Sequence, residues 1–144
     1  MNNRKIALLA IPIFAAIMIG ATVVPSYAGD TITQLVDIKP GSDPNSINPQ
    51  SRGVIPVAIL SSDTFDATTV VVDSLTFGPA GAVPLHPNAL HLEDVNDDEL
   101  TDLVTHYRTQ ETGIAAGDTE ACISGETFEG TLISGCDDII TKPV

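Results

Sequence analysis

Positive charge is what this sequence has least of. Six of its 144 residues are Lys or Arg, against nineteen Asp or Glu, and the formal net charge is −13. Two of the six, Arg4 and Lys5, stand at the start. Beyond them only Lys39, Arg52, Arg108 and Lys142 remain, four positive charges against nineteen negative, a net of −15. A nucleic-acid partner requires a basic footprint to neutralise phosphates, so that class is excluded. A surface this acidic also repels anionic lipid and attracts cations instead. Aromatic residues are scarce: four Phe, two Tyr and no Trp offer no platform for stacking a sugar ring.

Other absences narrow the chemistry. No Ser-His-Asp elbow is present, nor a glycine loop that would cradle a phosphate. There is no internal repeat and no Asn-x-Ser/Thr acceptor with an allowed middle residue. Carboxylate pairs suited to glycoside hydrolysis exist only in the sense that any acidic β domain offers many. The two cysteines, Cys122 and Cys136, form no CxxC and are too few for a thiolate zinc site. An even count in an exported chain favours a disulfide.

Export is read from the first segment. Arg4 and Lys5 precede an apolar run from Ile6 to Val24, followed by Pro25-Ser26-Tyr27-Ala28. A basic start, an apolar middle and small residues at Ser26 and Ala28 are expected to form a signal peptide over 1–28, cut before Gly29. The alternative is an uncleaved membrane anchor, because the run is just long enough to span a bilayer. Either way residues 29–144 form one domain outside the cytoplasm.

After Gly29 no amphipathic helix is expected. Pro and Gly recur every few residues, and the apolar segments between them are short and β-branched. Strands are expected over Ile32–Ile38, Gly53–Leu60, Val70–Phe77, Ala89–Leu92 and Leu103–Arg108. The connection from Lys39 to Pro49, with three prolines, is expected to lack regular structure. Pro56 would suit an edge strand or a bulge. The fold class is all-β: a single antiparallel β-sandwich of Ig-like or Greek-key type.

The C-terminal segment yields a register. Phe128-Glu129-Gly130 reads as a three-residue hairpin loop with Gly130 in the left-handed position. Thr127 then faces Thr131, and counting outward places Cys122 opposite Cys136 on a non-hydrogen-bonded pair. Their Cα atoms would lie about 4.5 Å apart, within reach of a disulfide. The competing reading is two free buried thiols.

The densest cluster of acid lies at Asp94-Val95-Asn96-Asp97-Asp98-Glu99-Leu100-Thr101-Asp102. Side-chain oxygens of Asp94, Asn96 and Asp98 at alternate positions, the Leu100 carbonyl, and Asp102 two residues later could wrap a cation of calcium's size. The helix-flanked version of such a loop has glycine where Glu99 stands and a bidentate carboxylate where Thr105 stands. Here Asp102 would close the shell instead, and strand-like flanks place the ion between two strands. Oxygen ligands with three carboxylates favour calcium over magnesium. The plain alternative is a solvated acidic turn. His86, His91 and His106 are scattered along the chain and read as surface or edge histidines, with a zinc site as the rival reading.

The blocks Val36-Asp37-Ile38-Lys39-Pro40-Gly41-Ser42-Asp43-Pro44-Asn45-Ser46-Ile47-Asn48 and Gly53-Val54-Ile55-Pro56-Val57-Ala58-Ile59-Leu60 resemble a poorly characterised module that recurs in exported archaeal and bacterial proteins. So do His91-Leu92-Glu93-Asp94-Val95-Asn96, Tyr107-Arg108-Thr109-Gln110-Glu111-Thr112-Gly113-Ile114, Gly117-Asp118-Thr119-Glu120-Ala121 and Gly125-Glu126-Thr127. The acidic loop is similar to dockerin and integrin-type calcium loops. The resemblance implies an extracellular, often multi-domain surface protein and no reaction. The expectation is therefore a calcium-stabilised, non-catalytic module of cell-surface structure or adhesion, with calcium, other surface proteins or glycans as partners. A secreted metal-dependent hydrolase and a carbohydrate- or ion-binding module are the alternatives. Membrane contact is expected only if the N-terminal segment stays uncleaved.

Overall fold

The computed structural model describes residues 31–88 and 90–143. The expected signal segment 1–28 and Ala89, the first residue of one expected strand, lie outside them. No α-helix occurs among the described residues, only strands and three short 3-10 turns over Ala67–Thr69, Val72–Ser74 and Thr109–Glu111. None of these segments is a helix long and apolar enough to cross a membrane.

Alternation of apolar and polar residues decides which face of each strand is buried. In β7 (Asp102–Arg108), Leu103, Thr105 and Tyr107 point into the core. In β4 (Val54–Ile59), paired antiparallel to β7 with Ile55 opposite Tyr107, the inward residues are Ile55, Val57 and Ile59. The short β2 (Val36–Ile38) and β6 (His91–Glu93) complete a sheet in the order β2-β4-β7-β6. The second sheet runs β1-β9-β8-β5, from β1 (Ile32–Thr33), β9 (Leu132–Asp138), β8 (Glu120–Glu126) and β5 (Thr76–Phe77). Its inward residues Phe77, Ala121, Ile123 and Ile133 meet those of the first sheet in one core. Phe77 and Tyr107 join the two layers directly, with ring centroids 5.1 Å apart. Burying a large apolar side chain contributes about 1.5–3 kcal/mol, so this layer of contacts holds the sheets together.

The fold is all-β as expected, but it is not purely antiparallel. β1 lies parallel to β9, and β10 (Ile140–Thr141) lies parallel to β3 (Ser46–Ile47) in a separate two-stranded pair. Both parallel pairs join segments far apart in the chain, where no hairpin imposes the antiparallel direction. The pair β3–β10 also puts a short strand into the proline-rich connection that was expected to be irregular.

The expected single strand Ile32–Ile38 is two strands in different sheets. The chain leaves the β1-β9-β8-β5 sheet after Gln34, whose N–H donates to Ser134 C=O at 2.7 Å. It joins the other sheet at Leu35, whose C=O accepts from Leu60 N–H at 3.0 Å. Gly135 sits beneath this crossing, and a Cβ there would run into the Gln34 carbonyl and a Val36 methyl. The expected strand Val70–Phe77 is likewise shortened by the Val72–Ser74 turn, although Leu75 and Phe77 face inward as expected.

Pro56 stands in a strand paired on both sides, not at an edge. Its carbonyl accepts from Lys39 N–H at 2.8 Å on the β2 side. Its ring nitrogen faces that same side, beyond Ile38 where β2 ends, so the missing N–H breaks no ladder bond.

The C-terminal hairpin follows the expected register. Cys122 faces Cys136, Thr127 N–H donates to Thr131 C=O at 2.9 Å, and Gly130 takes φ +84°. Only glycine enters that left-handed turn without steric cost. The two cysteines are disulfide-bonded with Cα atoms 4.0 Å apart, on the outer, exposed face of the sheet. A disulfide closing so short a loop should contribute about 3 kcal/mol in the chain-entropy model. Urea unfolding with and without reductant is expected to show a loss of that size. Identical midpoints would mean the cross-link constrains nothing.

Candidate metal centre

The acidic loop connects two antiparallel neighbours. β6 ends at Glu93, directly opposite Asp102, the first residue of β7. Residues 94–101 therefore form the turn between paired strands, as expected from their flanks. Turning so sharply requires two left-handed residues, Asp97 at φ +59° and Glu99 at φ +68°. Asp tolerates that region better than most residues, whereas Glu at this position carries the steric cost that glycine avoids. Glu99→Gly is expected to raise the stability of the metal-free protein by about 1 kcal/mol, read from urea unfolding in chelator. An unchanged midpoint would show that the loop already relieves the strain.

Carboxylates hold the turn by accepting from its backbone. Asp94 accepts from Asp98 N–H at 3.1 Å and from Glu99 N–H at 2.8 Å. Asp98 accepts from Leu100 N–H at 2.9 Å and from the Asn96 side-chain amide at 3.2 Å. Desolvation raises the Asp94 pKa, but the N–H groups of Glu99, Asp98, Asn96 and Asp97 together outweigh it and leave it below the ordinary aspartate value. Asp94 is thus held in its charged form.

Asp102 differs from the others in being fully buried, at 0 % exposure. One oxygen accepts from Ser61 N–H at 2.8 Å and the other from Val95 N–H at 3.0 Å. Ser61 is itself tied down, its hydroxyl bonding to the Thr101 carbonyl and to Ala67 N–H. Residues near position 61 gave no sequence signal of a role here, because the contact spans 41 residues.

Asp94, Asp98 and Asp102 come together, with one carboxylate oxygen of each lying within 4.8 Å of the others. Three like charges at that spacing repel one another unless a cation lies among them. Among the described residues the ion pairs are His91–Glu93 and Arg108–Glu111, and neither reaches this cluster. Each carboxylate oxygen has two lone pairs, so accepting one N–H leaves capacity for a cation. The group could hold a metal ion. Of the other expected ligands, Asn96 touches the cluster through its amide, while Leu100 meets it through its N–H. A second acidic grouping, Glu120 with Cys122 and Cys136, cannot use its sulfurs as thiolates because they are joined in the disulfide.

Compared with known proteins, the chain matches no family model and no curated protein.

Proposed function

We propose that the chain is an exported, non-catalytic module whose β6–β7 turn binds a calcium ion that fixes the path between those strands. The observation that carries this reading is the convergence of Asp94, Asp98 and Asp102 with no Lys or Arg in ion-pair reach among the described residues. An all-oxygen, three-carboxylate set suits a hard divalent cation, and calcium accepts the irregular geometry of a turn more readily than magnesium. Asn96 and the Leu100 carbonyl would complete the shell. The role is structural, because the ion would screen repulsion inside a connection, and none of the three carboxylates lines the neighbouring cavity bounded by Ser61, Phe65 and Glu99.

Two further features support an extracellular setting. A disulfide belongs to an oxidising compartment, and Cys122–Cys136 is formed. The likeness of several sequence blocks to a module of exported archaeal and bacterial proteins supports a place in cell-surface structure or adhesion.

The test is a melt in calcium and in chelator. With calcium at a hundred times its dissociation constant, linkage predicts about 2.7 kcal/mol of added stability. Asp98→Ala should abolish the difference. In chelator it loses only the exposed bonds from Leu100 N–H and the Asn96 amide, offset by relief of carboxylate repulsion, so that melt should move by less than the calcium shift. No calcium-dependent shift in the unsubstituted protein overturns the reading. Turnover of a substrate that depends on Asp94 or Asp98 would replace it with a hydrolase.

A further inference from the structure

The chain has three histidines, at 86, 91 and 106. Sequence separation gives them no common role, yet all three line one cavity of about 170 Å3, closed by Pro84, Val104 and Thr105. The strand register explains two of them. His91 faces Val104 across β6 and β7, and His106 lies two residues beyond Val104 on the same, outer face of the sheet. Their rings stack with centroids 5.9 Å apart and planes 11° from parallel. The third is delivered by the segment over that face, where Leu85 N–H donates to His106 C=O at 2.9 Å. Glu93 lies beside the cavity, its carboxylate 3.6 Å from His91 Nε2.

We propose that His86, His91, His106 and Glu93 form a second cation site, selective for a borderline-soft transition metal of the zinc, cobalt or copper type. Three imidazoles and one carboxylate match the nitrogen-rich, four-coordinate sets those ions take, whereas calcium requires oxygen. His106 is half-buried, and desolvation, followed by the nearby His91 and His86, lowers its pKa against a smaller opposing effect of Glu93. The stacked rings do not yet aim at one point. His86 and His91 are exposed, so they can turn towards the cavity without disturbing the core.

This site is independent of the calcium reading, and one experiment keeps them apart. The disulfide-bonded protein is held in excess calcium, then titrated with Zn2+ by calorimetry and with Co2+ by visible absorption. One ion per chain is expected, with the intense cobalt bands of four-coordinate geometry. His91→Ala and His86→Ala, both at exposed positions, should abolish the cobalt bands and weaken zinc binding more than Glu93→Gln does. A carboxylate that merely orients a ligating histidine accounts for about 10–100-fold in affinity, so Glu93→Gln, which removes a ligand, should cost at least that much. Asp98→Ala should leave both titrations unchanged. Zinc binding that survives the two histidine substitutions, or that is lost with Asp98→Ala, overturns the proposal; so does an absence of binding by the unsubstituted protein.

Discussion

Asp102→Ala is expected to destabilise the protein by about 2–4 kcal/mol even in chelator. The figure follows from two backbone donors that lose their acceptor, Ser61 N–H in a buried site and Val95 N–H in a half-buried one. An unsatisfied buried donor costs about 1–3 kcal/mol, and a half-buried one, which water can reach, costs less. The damage would also spread, because Ser61 links the start of β7 to the turn at Ala67. Asp102→Asn separates this structural role from metal binding. It keeps one acceptor oxygen and loses the charge, so it should retain more stability than Ala while losing the calcium-dependent shift. Urea unfolding of both variants, with calcium and with chelator, checks the pair. A midpoint for Asp102→Ala in chelator equal to that of the unsubstituted protein would refute the capping role.

Tyr107→Ala is the other large effect, expected to cost about 3–5 kcal/mol, the range for deleting a buried aromatic ring. Tyr107 is fully buried on the inner face of β7, packs against Phe77 of the opposite sheet, and faces Ile55 of β4. Its loss opens a cavity between the layers that rigid strands cannot collapse to fill. Burial pushes the Tyr107 pKa far above its ordinary value, with the Thr105 hydroxyl, which donates to it at 2.9 Å, acting in the opposite direction. Tyr107→Phe keeps the ring and removes that acceptor, so about 1 kcal/mol is expected. Equal losses for Ala and Phe would mean that the hydroxyl, not the packed ring, holds the layers. Denaturant midpoints with unchanged slopes are the measurement.

Local chemistry made several elements legible. β7 follows from the alternation Leu103, Thr105, Tyr107 against Val104, His106, Arg108. The hairpin follows from Phe128-Glu129-Gly130, and once Gly130 takes the left-handed position the facing of Cys122 and Cys136 is only counting. The acidic turn follows from Asp94, Asn96, Asp98 and Asp102 between two strand-like flanks. The glycine that helix-flanked loops carry where Glu99 stands answers to a conformation found here, since Glu99 takes φ +68° in the left-handed region.

What the sequence by itself determined was therefore local. Period-two patterning sets which face of a strand is buried, and turn chemistry sets the register of neighbours joined by a short loop. Both depend on a few residues and on sterics that act within them. Partners across long separations were decided only in the tertiary structure. The split at Gln34–Leu35, the parallel pairs β1–β9 and β3–β10, the hold of Ser61 on Asp102 and the gathering of three histidines all belong there. Their backbones could form the same number of hydrogen bonds in other arrangements. The choice is made by which arrangement fills the space between the sheets, as at Gly135, where only a missing side chain lets the crossing segment through.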